Sequence, residues 1–265
     1  LSRELDELKD LTRALKRRVE LSDGSDWVPA WVDKAAAAAS PAPAPAVVTA
    51  PRAPAKPAPK VARAKAEVFA ALSDEIKACR ACPLGKSRIQ AVPGVGSHDA
   101  QVMFVGEGPG FDEDHKGEPF IGRSGQLLDK IMESIGLSRA TVYIANIVKC
   151  HPMIDPSDPE KRGNDRPPSP EEIAACRHWL DTQIRTIGPR FIVTLGAVPA
   201  KVLLGDDGVK ITQLRGNWRE YDPGEGAPKV RLLPTFHPAA LLRNPDLKRD
   251  VWADMKSLRE ELSKS

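Results

Sequence analysis

The chain has 265 residues, 41% of them hydrophobic and 28% charged, which allows one large domain or two small ones. It has no long uncharged apolar run and opens on charged residues, so neither a membrane span nor a secretory leader is expected, and a reducing, cytoplasmic setting is. The formal net charge of +3 divides into −2 over residues 1–33, +6 over 34–66 and −1 over 67–265, so bulk charge announces no nucleic-acid partner and an anion-binding surface must be a local patch.

In chain order, residues 1–34 read as a polar helical segment. Leu1, Leu5, Leu8, Leu11 and Leu15 form a stripe at helical spacing. Such an arm reads first as a solvated helix without chemistry, and second as a docking segment for a protein partner. Residues 35–66 are an Ala/Pro/Lys-rich, disordered linker, with prolines at 41, 43, 45, 51, 54, 57 and 59 and too little apolar bulk for a core. Residues 67–265 form the compact domain. Within it strands are expected at 101–106, 141–148, 191–195 and 230–235, and helices at 124–135, 170–187, just before Leu204, and at 246–262. Strands alternating with helices predict an α/β fold of three α/β/α layers around a mostly parallel sheet. In such sheets the active crevice lies beyond the carboxyl ends of the strands, where Glu107, Asn146, Gly196 and His237 fall.

Four cysteines, Cys79, Cys82, Cys150 and Cys176, are the whole complement. The first two form a C-x-x-C pair, and the set together favours a four-cysteine iron–sulfur cluster or a four-cysteine zinc site; the residues do not choose the metal. The loop Gly106-Glu107-Gly108-Pro109-Gly110 lets backbone approach a ligand, yet it matches neither a Walker loop nor a dinucleotide fingerprint. It carries an unusual acidic load in Glu107, Asp112, Glu113 and Asp114. A solvated acidic loop explains Asp112 and Asp114 as well as chemistry does, whereas Glu107 sits at a strand tip. Phe120, between Pro119 and Gly122, is a platform for a planar base or an ordinary core residue. Asn146 lies inside an apolar strand and must either brace a loop or read a ligand edge. His237 ends the last strand, and Arg243 follows a helical turn and a half later.

Taken together, these motifs resemble those of the iron–sulfur family 4 uracil-DNA glycosylases. GEGPG with its acidic followers is similar to that family's first motif, EPFIGRSGQLL to its base-stacking segment, ANIVKC to its Asn strand leading into a cluster cysteine, and FHPAALLR to its second motif; the likeness spans residues 76–262. The resemblance implies a [4Fe–4S] cluster on Cys79, Cys82, Cys150 and Cys176 and hydrolysis of the N-glycosidic bond of deoxyuridine in single- or double-stranded DNA by a monomer. It implies that Phe120 and Gly108 line the base pocket and that Asn146 binds uracil O4 and N3–H. His237 donates to O2, and Glu107, with Glu113 as the alternate, stabilises the sugar cation or positions water. Arg243 and Arg123 face the DNA, although Arg123, Lys149 and Lys248 also read as plain surface charges.

One departure is the interval of 25 residues between Cys150 and Cys176, longer than the family pattern, with charges and prolines that mark an exposed loop. A related branch that attaches covalently to uracil DNA carries a histidine in this interval and a Gln after the motif-one Glu. This chain has Glu160-Lys161-Arg162-Gly163-Asn164-Asp165 and Gly108 at those places, which favours the turnover enzyme. Two other readings stay open: a non-catalytic or covalently trapping iron–sulfur module that binds uracil-containing or single-stranded DNA, and a zinc-stabilised hydrolase.

Overall fold

The structure, a computed structural model, describes residues 59–264 and the side chains of 63–264. The expected N-terminal helical segment and most of the linker lie outside the described residues. The described part opens with α1 (Pro59–Ala78) and α2 (Leu84–Ser87), followed by β1 (Val95–Gly96) and β2 (Val102–Gly106). Next come α3 (Phe111–Lys116), α4 (Arg123–Glu133), β3 (Tyr143–Asn146), α5 (Pro170–Ile187), β4 (Phe191–Leu195), α6 (Ala197–Leu204) and α7 (Ile211–Leu214). The chain ends with β5 (Arg219–Tyr221), β6 (Val230–Thr235), α8 (Pro238–Arg243), a short 3-10 turn (Pro245–Leu247) and α9 (Lys248–Ser263).

The six strands form one sheet in the order β1-β3-β2-β4-β6-β5. The four central strands run parallel, Gly106 opposite Asn146 and Leu195 opposite Thr235, while β1 and β5 pair antiparallel at the edges. Side chains alternate faces along each strand. Met103, Val105, Tyr143 and Ile192 pack with α1, α5 and α6; Val102, Phe104, Ile144 and Val193 pack with α4, α8 and α9. Both faces are therefore covered, and the three-layer α/β/α architecture holds. Among the described residues no helix is long and apolar enough to cross a membrane.

The two edge strands escaped the sequence reading, because β1 is two residues long and β5 three, too short to show periodicity. The domain boundary is corrected as well. Helix α1 starts at Pro59, inside the stretch assigned to linker, since proline is tolerated in a helix's first turn and KVARAKA behind it is made largely of helix formers. Lys65 fastens this helix to the end of α5 and to the loop before β2, its Nζ donating to Ile187 O at 3.2 Å and pairing with Asp99 at 3.0 Å. The folded unit therefore begins ahead of Ala66.

Candidate active site

The parallel strands end on one rim, and their last residues build the crevice. Gly106 closes β2 opposite Asn146 at the end of β3. A side-chain carbon on Gly106 would fall 2.3 Å from Asn146 Oδ1 and 2.5 Å from the Phe120 ring, so only glycine lets both converge there. Asn146 is buried, and among the described residues its Oδ1 has no hydrogen-bond partner. A buried, unanswered acceptor costs about 1–3 kcal/mol, which is sensible where a ligand will answer it.

Phe120 is held in the left-handed region at φ 55°, uncommon for a bulky residue. Arg139 fixes it there, donating to the carbonyls of Pro119 (3.0 Å) and Phe120 while its Nε bonds Asp129 at 2.7 Å. Gly125 leaves room for the turn, since a Cβ there would lie 1.7 Å from the Phe120 carbonyl oxygen. The Phe120 ring faces His237, centroids 5.6 Å apart and planes 34° from parallel.

His237 caps α8. Its Nδ1 accepts from Ala239 N at 3.1 Å, which places the proton of the neutral ring on Nε2. Burial, then the nearby Arg243 cation, pulls its pKa down to about 4, so it is an uncharged donor at neutral pH. The strand end beneath it is braced by Asp254, which accepts from Thr235 Oγ1 at 2.6 Å and from Arg215. Glu107, half-buried at the tip of β2, has its carboxyl raised above the ordinary range by burial.

The acidic run that follows is a set of ties. Glu113 is buried and accepts from Gly110 N (3.2 Å), Ile121 N (2.9 Å) and Gly122 N (3.1 Å), joining the glycine loop to the Phe120 turn. Asp114 accepts from Ile89 N and Gln90 N and lies 3.7 Å from His151, and Asp112 pairs with Arg162 at 3.1 Å. One expectation changes. Glu113 has both oxygens committed to backbone and is not free to position water. A side-chain carbon on Gly108 would lie 2.8 Å from Val148 and 3.4 Å from Pro152. Arg243 and Arg123 stand exposed at the last residue of α8 and the first of α4.

The four cysteines line one pocket, bounded also by Arg88, Lys149 and Trp179. Cys79 and Cys82 flank the turn after α1, Cys150 follows the run beyond β3, and Cys176 sits on α5. Arg88 donates to Cys150 Sγ at 2.9 Å and the Lys149 backbone to Cys176 Sγ at 3.2 Å. Burial pushes the Cys150 thiol up to about 11 and raises Cys176 too, so metal cations must displace their protons. Among the described residues no group of three His, Cys, Asp or Glu side chains is drawn together tightly enough to hold a metal ion. Lys149 is no surface charge: it is wholly buried, its Nζ bonding Asn146 O at 2.8 Å and Gln183 Oε1 at 2.7 Å.

Residues 93–256 match the profile of the Uracil DNA glycosylase superfamily. A type-4 uracil-DNA glycosylase of Thermotoga maritima is 40% identical over 200 residues, 75% of this chain and 96% of that protein. The chain belongs to the type-4 uracil-DNA glycosylases. A second type-4 enzyme, from Archaeoglobus fulgidus, is 40% identical over 187 residues, 70% of this chain and 89% of its own length. A type-5 enzyme of Pyrobaculum aerophilum stands further off, 30% identical over 167 residues, 57% of this chain and 66% of that protein. Within this type-4 chain, the residues that sequence reasoning missed are Arg139, Gly125 and Asp254, which hold others in place. Their only sequence signal, a charge or a glycine, is shared by dozens of surface positions.

Proposed function

We propose that this crevice excises uracil from DNA, hydrolysing the N-glycosidic bond and leaving an abasic site for repair. The observation that carries this reading is the buried, unpartnered Asn146 Oδ1 beside the Phe120 ring. A base inside a duplex is out of reach and must be flipped, which is easiest from a mismatch or a single strand. Phe120 stacks on the flipped ring, while the Asn146 amide accepts from N3–H and donates to O4. As the C1′–N1 bond lengthens, negative charge gathers on uracil O2 and positive charge on the sugar. The neutral His237, protonated on Nε2, answers the first, and a preorganised donor acts best where water is excluded. The Glu107 carboxylate faces the second, steadying the sugar cation and orienting the water that adds to C1′. Glu113 is a positioning residue that keeps the glycine loop and the Phe120 turn in register. Arg243 and Arg123 meet the DNA outside the pocket.

The cysteine pocket holds a [4Fe–4S] cluster on Cys79, Cys82, Cys150 and Cys176, with a structural role: it staples α1, the segment after β3 and α5. The lining of one pocket by all four cysteines and the donors aimed at two of the sulfurs support it. The enzyme is proposed to act as a monomer. Incubating purified protein with uracil-containing oligonucleotides, single-stranded and paired with G or A, tests the reading. Abasic sites with multiple turnovers are expected. Tight binding without cleavage, or a covalent protein–DNA adduct, overturns it in favour of a binding or trapping module.

A further inference from the structure

Lys149 presents a problem of charge. Its ammonium is enclosed and donates to two neutral oxygens, Asn146 O and Gln183 Oε1, and among the described residues no carboxylate forms an ion pair with it. The Gln183 amide is turned so that its oxygen faces Lys149, because its Nε2 is taken by Pro93 O at 2.8 Å and Tyr143 OH at 3.2 Å. Lys149 lines the same pocket as the four cysteines, and Asp181 on the neighbouring helix already pairs with Arg177 at 2.7 Å. A buried cation without a partner is strongly disfavoured. Four thiolates around a dicationic iron–sulfur core form a dianion, which supplies the missing counter-charge.

We infer that Lys149 is the buried counter-cation of the cysteine cluster and, through its bond to the Asn146 carbonyl, the tie between that cluster and the strand end that reads the base. The inference rests on the iron–sulfur reading of the pocket. One residue spans the whole distance: its backbone N–H reaches Cys176 Sγ, and its side chain reaches the backbone of Asn146. Gln183 lies on the same helix as Cys176, so Lys149 also clamps α5 to the end of β3. Lys149 is a positioning residue on this account. It touches neither base nor sugar, and it sets both the electrostatics of the cluster and the seat of Asn146.

The test compares the full chain with Lys149→Met and Lys149→Arg, measuring iron and sulfide content, the cluster potential by EPR-monitored redox titration, and single-turnover uracil excision. Lys149→Met, which removes the charge at nearly constant volume, is expected to move the potential to more negative values and to slow excision, while oligonucleotide binding holds. Lys149→Arg should stay close to the wild-type potential. Iron-loaded Lys149→Met with an unchanged potential overturns the inference and leaves the cluster reading intact. Zinc in place of iron in the wild-type protein overturns both. Should Lys149→Met fail to accumulate, Gln183→Glu sets a carboxylate against the ammonium at constant shape. Its potential must move in the same negative direction, and no movement overturns the inference.

Discussion

An asparagine amide carries a donor and an acceptor on one planar edge, and uracil offers the complement in O4 and N3–H; cytosine offers an amino group and a bare N3 instead. With Asn146 Oδ1 already buried and unanswered, a mismatched base leaves it so, at about 1–3 kcal/mol. Asn146→Asp is therefore expected to slow uracil excision at least about tenfold, the rate equivalent of about 1.4 kcal/mol. Single-turnover cleavage of matched uracil and cytosine oligonucleotides, beside a melting curve, checks this; an unchanged rate in a folded variant makes Asn146 a brace. The two proton-bearing groups separate by pH. Burial raises the Glu107 carboxyl, so its carboxylate form fades at a higher pH than an ordinary glutamate's as acid is added. His237, at about 4, stays neutral through that range. The acid limb of the rate profile thus belongs to Glu107, and Glu107→Gln should flatten it while lowering the plateau about 100-fold or more. A limb that survives in Glu107→Gln assigns it to another group.

Helix α3 is only six residues long, yet each acid in its first turn fastens a different segment, and Glu113 alone ties two loops. The Phe120 turn depends on this and on Arg139, since a non-glycine residue at positive φ costs of order 1–3 kcal/mol and persists only where its surroundings over-determine it. Gly125→Ala puts a methyl into the Phe120 carbonyl and must displace the ring. We expect excision to fall about tenfold or more while iron content stays at the wild-type level, because the cysteine pocket shares no residue with this turn. Excision at the wild-type rate would remove Phe120 from the base pocket; loss of iron would show that the turn supports the whole fold. These ties were not legible beforehand. Glu113 and Asp114 look alike in sequence, and only their neighbours show that the first holds the amides of Gly110, Ile121 and Gly122 and the second those of Ile89 and Gln90.

For the molecule as a whole, α1 decides where the folded unit begins. It buries Phe69, Leu72 and Ile76 in the core that also holds Cys150 and Cys176. At about 1.5–3 kcal/mol per buried side chain, their loss rivals the roughly 5–15 kcal/mol typical of a domain's entire stability. A chain starting at Pro59 is expected to keep its melting temperature and its excision rate on short oligonucleotides. One starting at Ala66 loses the Lys65 fastening and melts lower, and one starting at Cys79 does not fold. Thermal denaturation of the three decides it; a fully stable chain from Cys79 would mean that α1 is ornamental. Three of the five positive charges assigned to the linker, Lys60, Arg63 and Lys65, belong to α1. Residues 1–58 are proposed as a tether whose positive and negative charges nearly cancel, leaving little net charge to offer DNA.

What the sequence determined by itself was whatever repeats locally or carries its own chemistry. The central parallel strands announced themselves as apolar runs, α5 by Ser169 and Pro170 at its start, and Asn146, Phe120 and His237 by motifs that the fold draws to one rim of the sheet. Tertiary structure alone decided which of several similar residues were free to act. Glu107 keeps an available carboxylate while Glu113 is spent on backbone amides, and Lys149, outwardly a surface charge, is buried between Asn146 and Gln183. The physical reason is common to all three. Burial and hydrogen-bond commitment are set by partners distant in sequence, and a side chain's chemistry is available only when those partners leave it unspent.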